Sequence, residues 1–247
     1  MERNESFAAS NLVDVAIHMG WAQVEVYADE IDRVQVLAAG DEASVNDLRI
    51  EQNEGVLLVE QPQYGISLNI TESHWMQVCV RVPKAWTQKI HINTVGGMLN
   101  ARGLNGSRIV LDTVSGDMRA SRITAGEISL KTIIGDIRAD NLTAESLSVR
   151  TVSGNVSLDD AAVSKARCTT VSGEPKIKLK GDFTLMDVRS VSGDVTLLTT
   201  VRRMSVSMRS ISGRVSSDGV ELTEDKTAPA VRVTGVSADL KLISAKA

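Results

Sequence analysis

The sequence predicts an all-β fold, a parallel β-solenoid (β-helix-like) built from coils of about 19–20 residues. A short phrase recurs seven times: a hydroxyl residue, an aliphatic residue, usually Ser, then Gly and an often acidic residue. Its glycines follow one another at steps of 19 or 20 residues, and such a regular period is typical of a repeat architecture. The glycines are Gly97, Gly116, Gly135, Gly154, Gly173, Gly193 and Gly213.

Each period contains two short strands that meet at the glycine. Positions seven and five residues before it, and two and four after it, are apolar and alternate with polar ones, as in strands with one buried face. In the coil of Gly135 these are Ile128, Leu130, Ile137 and Ala139. The position two before the glycine is also expected to be buried, in one line along the stack. That line is Val95, Val114, Ile133, Val152, Val171, Val191 and Ile211.

The same periodicity predicts how the coils stack. Neither strand of a coil can bury its apolar face alone, so stacking produces one continuous interior. Glycine supplies positive φ at the junction. A last, imperfect coil has Ala238 in place of the glycine, and the polar segment near residues 218–230 is interpreted as an inserted loop.

The first 83 residues are less periodic. They contain short alternating apolar segments, such as Val13 to Ile17 and Met76 to Val82, separated by turn-like sequences. We expect irregular or antiparallel β strands in residues 1–83 that cap one end of a solenoid over 84–247, because an open end exposes unpaired backbone.

Composition restricts the function. A net charge of −4 gives no support for nucleic-acid binding. The start of the chain lacks a secretory signal pattern, and no stretch approaches the roughly 20 apolar residues of a membrane span. A cytoplasmic location is therefore expected, with the cell surface or envelope as the alternative. Cys168 lies in a predicted inward column, whereas Cys79 is predicted to face outward, and we expect no cofactor.

The strand ending in Val80-Arg81-Val82-Pro83-Lys84 and the ladder of Thr-Val-Ser-Gly-Asp coils resemble a bacterial family catalogued as "putative adhesins". The likeness runs from about Asn11 to Leu242. It implies a β-solenoid-like fold, occurrence in Gram-positive and Bacteroidetes genomes, and association with the cell envelope or its stress response. The family offers no catalytic residues to transfer.

Catalytic and metal-binding patterns are absent from the sequence. His18, His74 and His91 belong to no nucleophile elbow, zinc-protease helix or Cys/His metal spacing. His18 and His91 are predicted to be ordinary outward-facing residues. A non-enzymatic protein without a metal is predicted.

An acidic column directly follows the glycines, with Asp117, Asp136 and Asp194 among its members. Stacked carboxylates repel by about 0.9 kcal/mol in water, so something must compensate. One interpretation is that each side chain caps its own turn while Arg119 and Arg138 neutralise the charge. The other is a cation site.

A basic column lies four residues before the glycines. It consists of Lys131, Arg150, Arg189 and Arg209, with Thr169 as an interruption. Such a row at coil spacing suits a repeating anionic polymer such as an envelope polysaccharide, and it equally suits a solvated edge that discourages aggregation.

Three functions are compatible with this sequence. The first is a binding or scaffold protein that presents a rigid β face to an envelope polysaccharide, an anionic polymer or a protein partner. The second is a self-assembling filament protein, a homo-oligomer whose solenoid ends stack. The third is a polysaccharide-acting β-helix enzyme, which requires acids clustered in a groove.

Overall fold

The computed structural model describes residues 1–62 and 75–244 of the chain. Regular structure within them is almost entirely β, in one long sheet of 21 strands with mostly parallel pairing. The predicted fold class, an all-β parallel solenoid, is confirmed. No helix in the described ranges is long and apolar enough to cross a membrane.

The elements follow the chain in three groups. The first group is β1 (Glu2–Ala8), a 3-10 turn (Ala9–Asn11), β2 (Asp14–Trp21), β3 (Gln23–Asp29), β4 (Arg33–Gly40), α1 (Glu42–Asp47), β5 (Arg49–Asn53), β6 (Val56–Glu60) and β7 (Met76–Pro83). The second group is β8 (Lys89–Gly96), β9 (Leu99–Arg102), β10 (Asn105–Ser115), β11 (Met118–Lys131), β12 (Ile137–Arg150) and β13 (Val156–Ser172). The third group is β14 (Lys176–Leu179), β15 (Leu185–Ser192), β16 (Val195–Thr199), β17 (Arg203–Arg209), β18 (Val215–Asp218), β19 (Glu221–Leu222), β20 (Ala230–Ser237) and β21 (Leu240–Ser244).

The central coils stack in parallel at a constant register. Ile109 pairs with Ile128, Ile128 with Leu147, and Leu147 with Ala166. The columns seven and five before the glycine are buried over these coils, as are those two and four after it. Within β11 the alternation of buried and exposed residues is broken near Arg122 and again near Gly126, so each coil bends twice besides its glycine corner.

One predicted column is wrong. The line from Val95 to Ile211, two residues before each glycine, is exposed rather than buried. The buried residue is the hydroxyl one position earlier, and this column consists of Thr94, Thr113, Thr132, Thr151, Thr170 and Ser190. In β8, β10, β13 and β15 the strand runs without a break from the inward columns to this hydroxyl residue, so strict alternation of faces places the next residue outward. Hydrophobicity alone had favoured the wrong position.

Coils approach each other most closely at the glycine corner. Gly135 has a φ of 137°, and a Cβ there would lie 2.2 Å from the carbonyl oxygen of Gly116. Gly154 stands in the same relation to Gly135, at 2.0 Å. Glycine is therefore required here for its backbone conformation and for the space between coils. At the opposite corner Arg122, Asn141 and Asp160 adopt φ near +52°.

The last coil of the chain is not the last coil of the stack. β20 pairs in parallel with β15 on one side and with β17 on the other, and β21 lies in the same way between β16 and β18. The C-terminal coil is therefore inserted between two coils that precede it in sequence. The segment after β18, interpreted as an inserted loop, carries the chain back to this position.

The N-terminal region contains a similar insertion. β2 lies between β6 and β8, and β3 lies between β7 and β9, all in parallel. Parallel coil pairing thus continues across residue 83, and a division into units there stays a prediction. Outside this coil the pairing is antiparallel: β4 pairs with β7, β5 with β6, and β1 with β4.

The two ends of the stack differ. At the N-terminal end antiparallel strands continue the sheet beyond the last parallel coil, and α1 connects two of them, β4 and β5. At the C-terminal end β19 pairs with β17 only at Arg203 and Met204, and Val220 is buried there. All four residues of β18 are exposed. End-to-end filament growth requires both ends open, and a cap formed by residues 1–83 stays a prediction.

The two cysteines lie as their columns predicted. Cys168 is fully buried in the inward column, and burial raises the pKa of its thiol to about 12. Cys79 is only partly buried. Burial, and then the Glu25 carboxylate, raise the pKa of its thiol.

A substitution at the glycine corner tests the coil contact. We expect Gly135→Ala to lower the free energy of unfolding by more than about 3 kcal/mol, because the Cβ meets backbone that has no room to move. Gly103→Asn is the control, since no atom lies within 4 Å of a Cβ at that φ of +65° and Asn tolerates this conformation. It should cost less than about 1 kcal/mol in urea denaturation. Equal losses would contradict the role of the close approach.

Thiol labelling tests the burial of the cysteines. In native buffer Cys79 should react while Cys168 stays unmodified until unfolding, because only the thiolate reacts. Since the Cys79 pKa is raised, its labelling rate should be low at neutral pH and increase steadily as the pH rises. Mass spectrometry of each modified peptide measures both rates. Early modification of Cys168 would contradict the register.

Candidate functional site

The structure brings the four predicted basic residues into one line on the outer face of a single sheet. Lys131 pairs with Arg150 on the next coil, and Thr169 separates Arg150 from Arg189. Thr234 of the inserted C-terminal coil separates Arg189 from Arg209. All four basic side chains are exposed. We call these four residues the basic row.

The basic row is largely free of carboxylate partners. Among the described residues no ion pair or hydrogen bond holds the side chains of Lys131, Arg150 or Arg209. Arg189 lies 3.6 Å from Asp187, and this carboxylate also binds Arg167 at 3.1 Å. Most of the positive charge of the basic row is therefore not paired with a carboxylate of the protein and is available to a ligand.

Two shallow grooves lie along the row. The first, with a volume of about 650 Å³, contains Lys131 and Arg150 beside Lys89, His91 and Arg108. The second, of about 690 Å³, contains Arg189 and Arg209. Lys226 and Arg232 line this second groove as well.

Sequence reasoning missed these additional cations. Arg232 lies six residues before Ala238, which replaces the glycine of its coil. This position indicates that Arg232 is on the outer face of its strand, but it does not indicate which residues are its neighbours. Its position between Asp187 and Ser207 depends on the insertion of the C-terminal coil. For Lys226, outside any strand, no signal existed.

The first groove also contains Asp14, Asp112 and Glu127. A glycosidase requires two carboxyl groups about 5–9.5 Å apart. Coil register and strand rise place the Cα atoms of Asp112 and Glu127 about 14 Å apart, and those of Asp14 and Asp112 about 16 Å apart. Glu127 is engaged by Arg108 at 3.3 Å. No two of these three carboxylates are direct cross-strand neighbours.

The acidic column forms a ladder of hydrogen bonds between coils. Asp117 Oδ1 accepts from the backbone N–H of Asp136 at 3.0 Å, and Asp136 Oδ1 accepts from that of Asn155 at 2.9 Å. Asn155 caps Glu174 in the same way, and Asp194 caps Asp239. Each side chain therefore caps the turn of the next coil, not its own turn as the capping interpretation supposed.

Arg138 balances the charge of this ladder. Its guanidinium lies 2.7 Å from Asp136 and 3.4 Å from Asp117, whereas Arg119 forms no such pair within the described ranges. No group of three or more metal-binding side chains occurs in the part of the chain that the structure describes. The geometry favours capping over a cation site.

The two histidines that the structure describes show no catalytic arrangement. His18 and His91 are neighbours on adjacent strands, with ring centroids 5.9 Å apart in edge-to-face geometry. Both are half-buried on the outer face of the sheet. His74 lies outside the described residues.

Comparison with known proteins identifies a family and a fold. The family described as Toastrack DUF4097 matches residues 14–241. A "putative adhesin" from Bacteroides fragilis NCTC 9343 is similar in structure, with a TM-score of 0.57, 12% identity, and coverage of 99% of this chain and 97% of that one. No curated protein matches the sequence.

Two proteins from Parabacteroides distasonis ATCC 8503 are also similar. One is a "putative adhesin", with a TM-score of 0.56, 12% identity, and coverage of 98% and 97% of the two chains. The other is a "putative lipid binding protein", with a TM-score of 0.50, 13% identity, and coverage of 97% and 96%. At these identities the likeness shows the shared fold.

The ladder can be tested with one residue. Asp136→Ala removes the acceptor for the Asn155 N–H and the partner of Arg138, so the free energy of unfolding should fall by about 1 kcal/mol. Asp136→Asn keeps the acceptor and should stay within a few tenths of a kcal/mol. Calcium should leave the melting temperature of the wild type unchanged. A calcium-dependent rise that Asp136→Asn abolishes would favour the cation site.

Proposed function

The chain belongs to the Toastrack DUF4097 family, and from this premise we propose that it is a non-enzymatic binding protein whose basic face holds an anionic polymer of the bacterial cell envelope. The observation that carries the proposal is the basic row. It presents exposed cations in line on a rigid sheet, and among the described residues only Arg189 of the four has an ion pair, although the whole chain has a net charge of −4.

The spacing of the row suits a polymer rather than a small anion. From Lys131 to Arg209 the row spans five coil steps, which is about 24 Å at the spacing of paired strands. The two grooves lie along the same line and contain further cations. A chain molecule with regularly spaced charges can therefore contact several of them at once.

Rigidity favours this contact. The row is built on paired strands whose positions are fixed by the coil stack, so only the side chains lose freedom when a polymer binds. Preorganised sites lose less entropy on binding than flexible ones. Exposed charges are screened beyond about 8 Å at physiological ionic strength, so binding should weaken steeply with salt.

The names of the structural neighbours are compatible with this proposal. Two are called adhesins and one a lipid-binding protein, and each name describes a binding role. The polymer class proposed here includes teichoic acids and acidic wall polysaccharides, because both repeat an anionic group along a chain.

Neutralising the basic row tests the proposal. The row variant replaces all four residues of the basic row by glutamine: Lys131→Gln, Arg150→Gln, Arg189→Gln and Arg209→Gln. We expect it to lose salt-sensitive binding to purified teichoic acid. The melting temperature should change little, because exposed ion pairs contribute only about 0–1 kcal/mol each. Calorimetry at low and physiological salt measures the binding.

A matched control separates the row from net charge. The control variant removes the same charge from exposed positions outside the row. Its substitutions are Arg119→Gln, Lys176→Gln, Lys180→Gln and Lys241→Gln. It should bind as the wild type does. Equal binding by the row variant, or absence of salt-sensitive binding in the wild type, would identify the row as a solvated edge.

A further inference from the structure

An apolar stripe runs along the corner of the solenoid. One β-branched residue per coil is exposed there, from 39% for Ile133 to 85% for Ile211, and Val236 of the inserted coil completes the line. Ile134, beside Ile133, is exposed by 59%. The stripe consists of Val95, Val114, Ile133, Val152, Val171, Val191, Val236 and Ile211.

The stripe is continuous because backbone hydrogen bonds join its coils. The carbonyl of Val114 accepts from Ile134, that of Ile133 from Ser153, and that of Val152 from Ser172. Eight members at strand spacing extend over about 34 Å. Contiguous exposed apolar surface of this kind marks an interaction site on a soluble protein.

Rows of opposite character flank the stripe. The basic row lies two residues before it on the same face, as Lys131 precedes Ile133. The acidic ladder follows three residues after it, around the glycine corner, as Asp136 follows Ile133. The same order holds for Arg189, Val191 and Asp194.

We propose that the stripe is the seam of a homodimer, in which a second copy lies alongside with its solenoid axis parallel to the first. A two-fold axis along the solenoid brings stripe onto stripe and places each basic row opposite the partner's acidic ladder. Lys131 then faces Asp136 of the partner subunit, and Arg189 faces the partner's Asp194. On the coil after Lys131, Arg150 faces the partner's Asn155, which is neutral, so two coils supply the matched charges.

Other arrangements fit less well. A two-fold axis perpendicular to the solenoid axis would place each basic row opposite the partner's basic row, and each acidic ladder opposite the partner's ladder. An anionic membrane surface would attract the row and repel the ladder, which lie equally close to the stripe. Charge complementarity therefore selects a copy with parallel axes.

The area predicts a weak dimer. A contact of about 34 Å by 15 Å buries about 1,000 Å² over both copies, at the lower end for specific interfaces. Like charges meet at the outer coils, where Asp112 faces the partner's Asp117 and Arg209 faces the partner's Arg214. Association should therefore depend on concentration between about 1 μM and 1 mM.

In the dimer the basic row lies beside the seam, opposite the partner's ladder, and the outer part of the proposed polymer face stays accessible. Cations such as Lys89, Arg108 and Arg232 lie farther from the corner than the basic row does. The dimer does not depend on the polymer, and the two proposals fail separately. A stripe variant keeps the basic row, so its binding to polymer tests one proposal and its mass tests the other.

Sedimentation equilibrium tests the seam. The variant Ile133→Thr, Val152→Thr and Val171→Thr keeps branched side chains suited to a strand but removes apolar contact. It should raise the dimer dissociation constant at least about tenfold at an unchanged melting temperature. The control Val13→Thr with Leu222→Thr alters two exposed apolar residues elsewhere and should dimerise as the wild type does.

Disulfide cross-linking tests the alignment, in a Cys79→Ser background. With parallel axes every stripe residue faces the same residue of the partner copy. The single variants Val114→Cys and Val191→Cys should therefore each form a cross-linked dimer. An antiparallel seam centred on Val152 would cross-link only a mixture of the two variants, and that result would overturn the alignment.

Two results would overturn the seam itself. One is a wild type that remains monomeric at every concentration. The other is a monomer that sediments with phosphatidylglycerol vesicles while the stripe variant does not, which would identify the stripe as a lipid-facing surface.

Discussion

The close approach of successive coils at the glycine corner is the constraint on which the rest of the structure depends. The carbonyl oxygen of each corner glycine lies so close to the glycine of the next coil that only a residue without a Cβ fits there. Gly116 and Gly135 are an example. Backbone hydrogen bonds between the coils set their spacing, and glycine allows the corner to keep it. The spacing in turn places each ladder oxygen over the next coil's N–H and each inward aliphatic residue on its counterpart.

The corner also arranges the outer surface. The apolar stripe, the basic row and the acidic ladder each lie at a fixed number of residues from the glycine of their coil. Because the glycines of successive coils stack, all three rows run parallel to the solenoid axis. A structural repeat therefore produces three chemically distinct lines along one edge. The ladder carboxylates are occupied by backbone N–H groups and Arg138, whereas three of the four row residues have no such partner among the described residues.

Insertion of the terminal coils changes the composition of the basic face. The C-terminal coil adds Arg232 to the second groove and places Thr234 between Arg189 and Arg209. At the other end β2 lies against β8 and adds Asp14 to the first groove. Parts of the face that are remote in sequence thus meet because both chain ends pair inside the stack.

The sequence by itself determined the period, the fold class, the inward columns around Ile128 and Leu130, the burial of Cys168 and the alignment of Lys131 with Arg150. These follow from local repetition, since each coil repeats its neighbour. Only the tertiary structure decided that Val114 faces outward while Thr113 is buried, because hydrophobicity and strand alternation disagree there and the corner resolves the conflict. It also decided the order of the end coils and hence the neighbours of Arg209, because backbone pairing between distant segments leaves no periodic signal.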